Sequence, residues 1–256
     1  MKNWVLILGA SSGIGAECAK AFAKKGLNIF GVYLRKPKSQ IEKLTKEIES
    51  FNVQVVFKKA NAANSDSRKK IINELTIQKN INIKAMIHSL AFGALKPFID
   101  KDANNQLNQK NVEMTLDVMS NSLIYWTQGL FNNQLLSSGS QIISMTSAGN
   151  EKQWKSYGAV SMAKSALESA TRQLAFELAP HQIACNCIQA GVTLTPALEK
   201  IPGYEQMVNN AKSNNPHHRL TLTSDISTIT TMIGISNSYW MTGNTIKVDG
   251  GESLTG

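Results

Sequence analysis

Short apolar runs alternate with longer helix-like runs along the whole chain. Trp4–Leu8, Asn28–Leu34, Val53–Lys58, Ile83–His88, Gln141–Met145, Ile183–Ile188 and Thr245–Val248 read as strands. Between them, Gly15–Lys25, Ser39–Phe51, Ser67–Lys79, Asn111–Leu136, Tyr157–Leu178 and Asp225–Ile235 read as helices, the first closed by Gly26. Strands that are apolar throughout are those covered on both faces. The alternation therefore predicts an α/β fold with a doubly wound parallel sheet and helices on both sides. No repeat or low-complexity linker divides residues 1–256, so one domain is expected. Thr193–Pro216 is the longest segment without a strand, interrupted by Pro196, Pro202-Gly203 and Pro216. Long loops inside compact domains are usually functional, and about 193–216 is expected to form a lid over a substrate site.

Composition narrows the class. Of 256 residues, 42% are apolar and 18% charged, which is ample for a packed core. The net charge of +9 comes mostly from dispersed lysines, with arginine only at 35, 68, 172 and 219. No basic helix or aromatic-basic stripe stands out, so nucleic acid is not expected as partner. No stretch approaches the roughly 18 apolar residues of a spanning helix. Lys2 and the run Trp4–Leu8 could mimic a signal peptide, but a Gly-Ser loop, Glu17 and Lys20 follow, so a buried first strand is the better reading. A soluble cytoplasmic protein is expected. Three cysteines, Cys18, Cys185 and Cys187, are too few for a disulfide scaffold. Cys185 and Cys187 share one strand-like run and are expected on opposite faces, hence not as a joint metal site. His217-His218 has no Cys or carboxylate cluster beside it, and no metal is assigned.

Gly9-Ala10-Ser11-Ser12-Gly13-Ile14-Gly15 follows the first strand and opens the first helix. Glycines there let the backbone approach a pyrophosphate, and the helix start offers unpaired N–H groups to the anion. The sheet is thus expected to be of Rossmann type. An Asp or Glu commonly ends the second strand to hold an NAD ribose, yet no acidic residue lies between Glu17 and Glu42. The strand runs instead into Arg35 and Lys36, whose cations suit a 2′-phosphate, so NADPH is favoured, with NADH possible. Asn61, next to Ala62 after the third strand, could bond an adenine or simply make a turn.

The segment Ser147–Lys164, together with the glycine loop, resembles the short-chain dehydrogenase/reductase family across essentially the whole chain. Asn186–Gly191 is similar to that family's strand before a Pro-Gly turn, with Ala190 in place of proline, and Val248-Asp249-Gly250-Gly251 to its last strand. The common Tyr-x-x-x-Lys motif is absent. Val160 stands four before Lys164, and Ser161 four after Tyr157. Tyr157 and Lys164 are seven apart, which keeps them on one helix face about two turns apart. This spacing resembles the enoyl-acyl-carrier-protein reductase branch, as does Ile87-His88-Ser89-Leu90-Ala91-Phe92 after the fourth strand. Met119 falls where the wider family carries a relay asparagine. The loop spacing of Gly9, Gly13 and Gly15 and the stretch Thr193–Arg219 resemble the NADPH-using FabL type of that branch.

The resemblance implies NADPH-dependent hydride transfer to C3 of a trans-2-enoyl thioester in fatty acid synthesis. Tyr157 would bond the thioester oxygen, and Lys164 would hold the nicotinamide ribose. The family's serine maps to Ser147 when counted from Lys164 and to Ser144 when counted from Tyr157; Ser147 is preferred because it lies just past the strand. Gly9, Ser11, Ser12, Gly13, Ile14, Gly15, Arg35, Lys36, Asn61, Ala62, Ser89, Gly191, Thr193 and Thr195, with Lys164, are the expected cofactor contacts. An acidic acyl carrier protein, or CoA, would present the substrate to this basic chain, with Lys200, Lys212 and Arg219 near the lid as steering charges. A homotetramer through Asn111–Leu136 and Tyr157–Leu178 is expected. Competing readings are a 3-ketoacyl or other carbonyl reductase and a non-catalytic dinucleotide sensor.

Overall fold

In the computed structural model, residues 2–78 and 81–255 are described. The strands are β1 (Lys2–Leu8), β2 (Asn28–Tyr33), β3 (Val55–Lys59), β4 (Ile81–His88), β5 (Gln141–Ser147), β6 (Ala184–Ala190) and β7 (Thr245–Val248). The helices are α1 (Gly13–Ala23), α2 (Lys38–Glu49), α3 (Ser65–Ile77), α4 (Gln109–Leu116), α5 (Ser122–Asn132), α6 (Gly158–Leu178), α7 (Tyr204–Asn214) and α8 (Thr223–Ile235). Lys79, the expected end of the third helix, lies outside the described residues. The strands form one parallel sheet in the order β3-β2-β1-β4-β5-β6-β7. This is the expected doubly wound Rossmann-type sheet. The order reverses between β1 and β4, and ligands bind at that crevice, beyond the strands' C-terminal ends.

The period of two along each strand sorts the core into two layers. Leu6 and Leu8 of β1 face Trp126 and Leu167 on one side, while Val5 and Ile7 face Phe22 and Ile226 on the other. The same period overturns the expectation for Cys185 and Cys187. Residues two apart share a face, and both thiols are buried toward α6.

In β4 the pairing with β1 shifts, Trp4 opposing Ile83 and Val5 opposing Ala85, so Lys84 is the extra residue of a bulge. Ile83 consequently joins one core layer and Ala85 the other. Buried Lys84 uses its ammonium as a staple, donating to the carbonyls of Gly139 (2.6 Å) and Ser236 and to Asn237 Oδ1 (3.0 Å). Ser236 is the C-cap of α8, where a cation also complements the helix dipole. Replacing Lys84 with Met should leave those carbonyls unpaired and lower stability by about 1–3 kcal/mol. Urea unfolding checks this, and an unchanged midpoint would show the staple to be inert.

Two expected elements differ. The single helix over Asn111–Leu136 is broken by a π-type turn at Asp117–Asn121 and ends at Asn132. The Ser122 N–H reaches back to the Asp117 carbonyl, so one residue is inserted and the helix face is rephased. Met119 thereby lines a cavity, and Ser122 Oγ lies 2.8 Å from His88 Nε2. The segment 193–216 is not a loop throughout, because α7 begins at Tyr204, capped by Gly203, which takes a left-handed conformation after Pro202.

Candidate active site

The β1 strand delivers the chain to Gly9, whose φ of +87° favours glycine. A Cβ there would lie 2.4 Å from the Ser89 carbonyl oxygen, so the turn after β1 and the segment after β4 touch through backbone alone. Ser12 is the N-cap of α1, yet its hydroxyl makes no capping bond among the described residues, and no acidic side chain occupies the first turn. The first-turn N–H groups are therefore available to an anion. The Thr195 side chain covers Gly13, 3.3 Å from where a Cβ would sit. Gly9, Ser11, Ser12, Gly13 and Gly15 thus form a cradle that fits a dinucleotide pyrophosphate.

Beside it opens a cavity of about 480 Å³. Ile14, Ser89, Ser147, Tyr157, Lys164, Gly191, Thr193 and Thr195 all line it, though they come from five separate chain segments. Arg35, Lys36, Asn61 and Ala62 lie outside that wall, at the C-terminal ends of β2 and β3. Asn61 Oδ1 accepts the Ala63 N–H (3.1 Å), as a turn residue does. The buried Ala62 offers its carbonyl to Trp126 Nε1 (2.8 Å).

Tyr157 is the N-cap of α6, and Lys164 lies two turns into that helix. Burial pushes the Tyr157 phenol above its usual value, opposed by the Ser147 hydroxyl 3.5 Å away. The phenol is thus a neutral donor across the physiological range. Lys164 is buried and donates to the Met145 carbonyl (2.6 Å). Burial pulls its ammonium down to about 8, with Cys187 and Glu168 opposing the drop. Ser144 is fully buried and bonds Thr171 (3.0 Å), so only Ser147 of the two candidate serines faces the cavity. Val160 and Met119 face the same cavity as apolar wall. His88 is buried and held down to about 3 by desolvation and then by the Lys164 charge. It is a neutral partner of Ser122.

Two polar supports of the site, Glu168 and Glu252, escape the sequence reading, and Trp154 is a third support. Glu168 accepts from Thr146 Oγ1 (2.7 Å) and from Asn150 Nδ2 (2.9 and 3.0 Å), tying the end of β5 to α6. Glu252 lines the cavity and accepts the Val192 N–H (3.0 Å); burial raises its carboxyl, while the bond to Val192 lowers it. Trp154 both lines the cavity and donates to the Pro202 carbonyl (3.0 Å), anchoring the start of α7. Only Trp154 carried a signal in the sequence, as a large amphipathic side chain near Tyr157. Among the described residues no group of three or more His, Cys, Asp or Glu side chains could hold a metal ion. No described helix is long and apolar enough to cross a membrane.

A family model described as enoyl-(acyl carrier protein) reductase matches residues 9–253. The chain belongs to that family. It is an oxidoreductase that uses a nicotinamide dinucleotide on a carbon–carbon double bond. This reductase is 26% identical over 255 residues to the enoyl-acyl-carrier-protein reductase (NADH) FabI of Enterococcus faecalis, spanning 98% of this chain and 97% of the relative. It is 25% identical over 252 residues to a 1-cyclohexenylcarbonyl-CoA reductase of Streptomyces collinus, spanning 97% and 86%. The fold of the reductase matches an Aquifex aeolicus enoyl-acyl-carrier-protein reductase (NADH) with a TM-score of 0.84 at 23% identity, covering 99% of this chain and 97% of that one. A structure of the Anaplasma phagocytophilum enzyme in complex with NAD superposes with a TM-score of 0.83 at 21% identity, covering 100% and 93%.

Proposed function

We propose that this reductase transfers hydride to C3 of trans-2-enoyl thioesters on acyl carrier protein, preferring NADPH and accepting NADH. The observation that carries the reading is the placement of Tyr157 and Lys164, two helical turns apart, on the wall of one cavity. A bound nicotinamide supplies the hydride. As C3 gains it, negative charge gathers on the thioester oxygen, two bonds beyond C2. The Tyr157 hydroxyl donates to that oxygen, where a preorganised donor contributes most. Ser147, on the same wall, orients the phenol or shares the oxygen. The Lys164 ammonium holds the ribose and favours the enolate by its charge. Val160 and Met119 offer no acid, so the proton for C2 comes from solvent.

For the coenzyme, Gly9, Ser11, Ser12, Gly13, Ile14 and Gly15 hold the pyrophosphate, while Ser89, Gly191, Thr193 and Thr195 flank the nicotinamide half. Asn61 and Ala62 border the adenine. Arg35 and Lys36 follow β2 with no acidic residue in the sequence between Glu17 and Glu42, which supports a 2′-phosphate even though the relatives named above carry NADH in their names. The segment 193–216 acts as the lid, reaching the cavity through Leu198, Ile201 and Met207. Lys200 and Lys212 are exposed on it and suit an acidic carrier. Arg219 is withdrawn from that role, because its NH1 lies 2.6 Å from Asp225 Oδ2 and its charge is compensated. The exposed apolar Tyr125, Met162 and Phe176 on α5 and α6 support self-association as a tetramer.

The test follows NADPH oxidation with a trans-2-enoyl thioester, beside a 3-ketoacyl thioester and an NADH control. Turnover of the enoyl substrate alone, faster with NADPH, is expected. Turnover of the ketone alone would overturn the reading in favour of a carbonyl reductase. Coenzyme binding without any turnover would favour a sensor.

A further inference from the structure

The Arg35 guanidinium carbon lies 3.6 Å from the centroid of the Phe92 ring. The two residues come from different halves of the sheet, Arg35 beyond β2 and Phe92 beyond β4. Their contact spans the crevice at which the strand order reverses. The Phe92 ring is 37% exposed and also lines the cavity that holds Tyr157.

The backbone carrying Phe92 is pinned on both sides. Upstream, the Ser89 N–H donates to the Leu8 carbonyl (2.9 Å). Downstream, Gly93 presses so closely on α4 and α6 that a Cβ would lie 2.6 Å from Thr115 and 2.9 Å from Val160. The next residue, Ala94, donates its N–H to Thr115 Oγ1 (2.9 Å). With its neighbours fastened inward, Phe92 is presented outward at a fixed place. Arg35 is exposed and, among the described residues, has no ion-pair partner. The ring face is thus the support the structure gives it.

We propose that Phe92 is the positioning residue for coenzyme selection: by stacking Arg35 it presets the guanidinium that receives the 2′-phosphate of NADPH. The inference rests on the reading of Arg35 as the 2′-phosphate ligand. A guanidinium stacked through its face keeps its edge N–H donors free, and bidentate phosphate binding uses that edge. A lysine would supply the charge but neither the stack nor the fork. NADH lacks the group that Arg35 addresses, so loss of the stack is felt by one coenzyme only.

The experiment titrates the full-length protein with NADPH, NADH and 2′,5′-ADP, read by coenzyme fluorescence or calorimetry, without turnover. Phe92→Leu should weaken NADPH and 2′,5′-ADP roughly two- to fivefold, the span of an exposed cation–π contact, and leave NADH unchanged. Phe92→Tyr, which keeps the ring, should retain the wild-type ratio of NADPH to NADH affinity. Arg35→Ala should lower that ratio further, and adding Phe92→Leu to it should cost nothing more. An unchanged ratio in Arg35→Ala overturns the underlying assignment of Arg35. A lowered ratio in Arg35→Ala, with Phe92→Leu weakening both coenzymes equally, tightening NADPH or doing nothing, overturns the role of Phe92 alone.

Discussion

Tyr157→Phe should lower kcat by about 10²–10³-fold, the usual cost of one oxyanion donor, while leaving the affinity for NADPH within about twofold of wild type. The change removes a single oxygen and keeps the ring that packs beside Val160 and Ala163. The cavity therefore holds its shape and only the donor is lost. The phenol sits 3.5 Å from Ser147 Oγ, too far for a good O–H···O bond and close enough for a substrate oxygen to engage both. Burial keeps that phenol neutral beyond its ordinary range, so it donates at any pH at which the protein works. Single-turnover rates with an enoyl thioester, set beside a coenzyme titration, separate the two effects. A kcat within fivefold of wild type would place the enolate donor elsewhere. Loss of NADPH binding in step with kcat would make Tyr157 a packing residue.

The strand and helix pattern was legible because each apolar run is covered on both faces, and covered strands leave little else to read. The glycine loop and the Tyr157–Lys164 spacing were legible because backbone approach and helical phase are written in residue type and count. What escaped depends on contacts between distant segments. The π-type turn at Asp117–Asn121 is one inserted residue in an otherwise helical sequence, and only the packing of Met119 and Ser122 reveals it. Helix α7 follows Pro202-Gly203 and carries few apolar residues, with Ala211 its only buried one, so its periodicity is faint. The pairing of Lys84 with Gly139 and Ser236 joins residues 55 and 152 apart, and no local pattern announces it. Cys185 and Cys187 were a different failure, since strand periodicity alone places them on one face. The contacts of Phe92 and Glu252 were invisible because a surface aromatic and a turn glutamate do not announce that Arg35 and Val192 are beside them.

The activity of the reductase should fall as pH rises through about 8, while the contribution of Lys164 to stability moves the other way. Burial brings the Lys164 ammonium from its ordinary 10.5 down to about 8, and neighbouring Cys187 and Glu168 keep it from falling further. Below about 8 the side chain is charged and able to favour the enolate. Above it the charge, and that help, are gone, so kcat/KM declines. In the unfolded chain the same lysine stays protonated up to about 10.5. Between these two values the unfolded state binds one more proton than the folded state, and stability rises with pH in that window. The span corresponds to roughly 3 kcal/mol at most, at about 1.4 kcal/mol per unit. The charged lysine is therefore carried at a cost to the fold at neutral pH. Lys164→Met should abolish the pH-dependent fall in activity by removing most of the activity itself, and should narrow its stability deficit, or widen its advantage, at pH 7 relative to pH 10. Urea midpoints of wild type and variant at those two pH values decide the matter. Parallel shifts in both proteins would mean that Lys164 stays protonated throughout and that the alkaline limb of the rate profile belongs to another group.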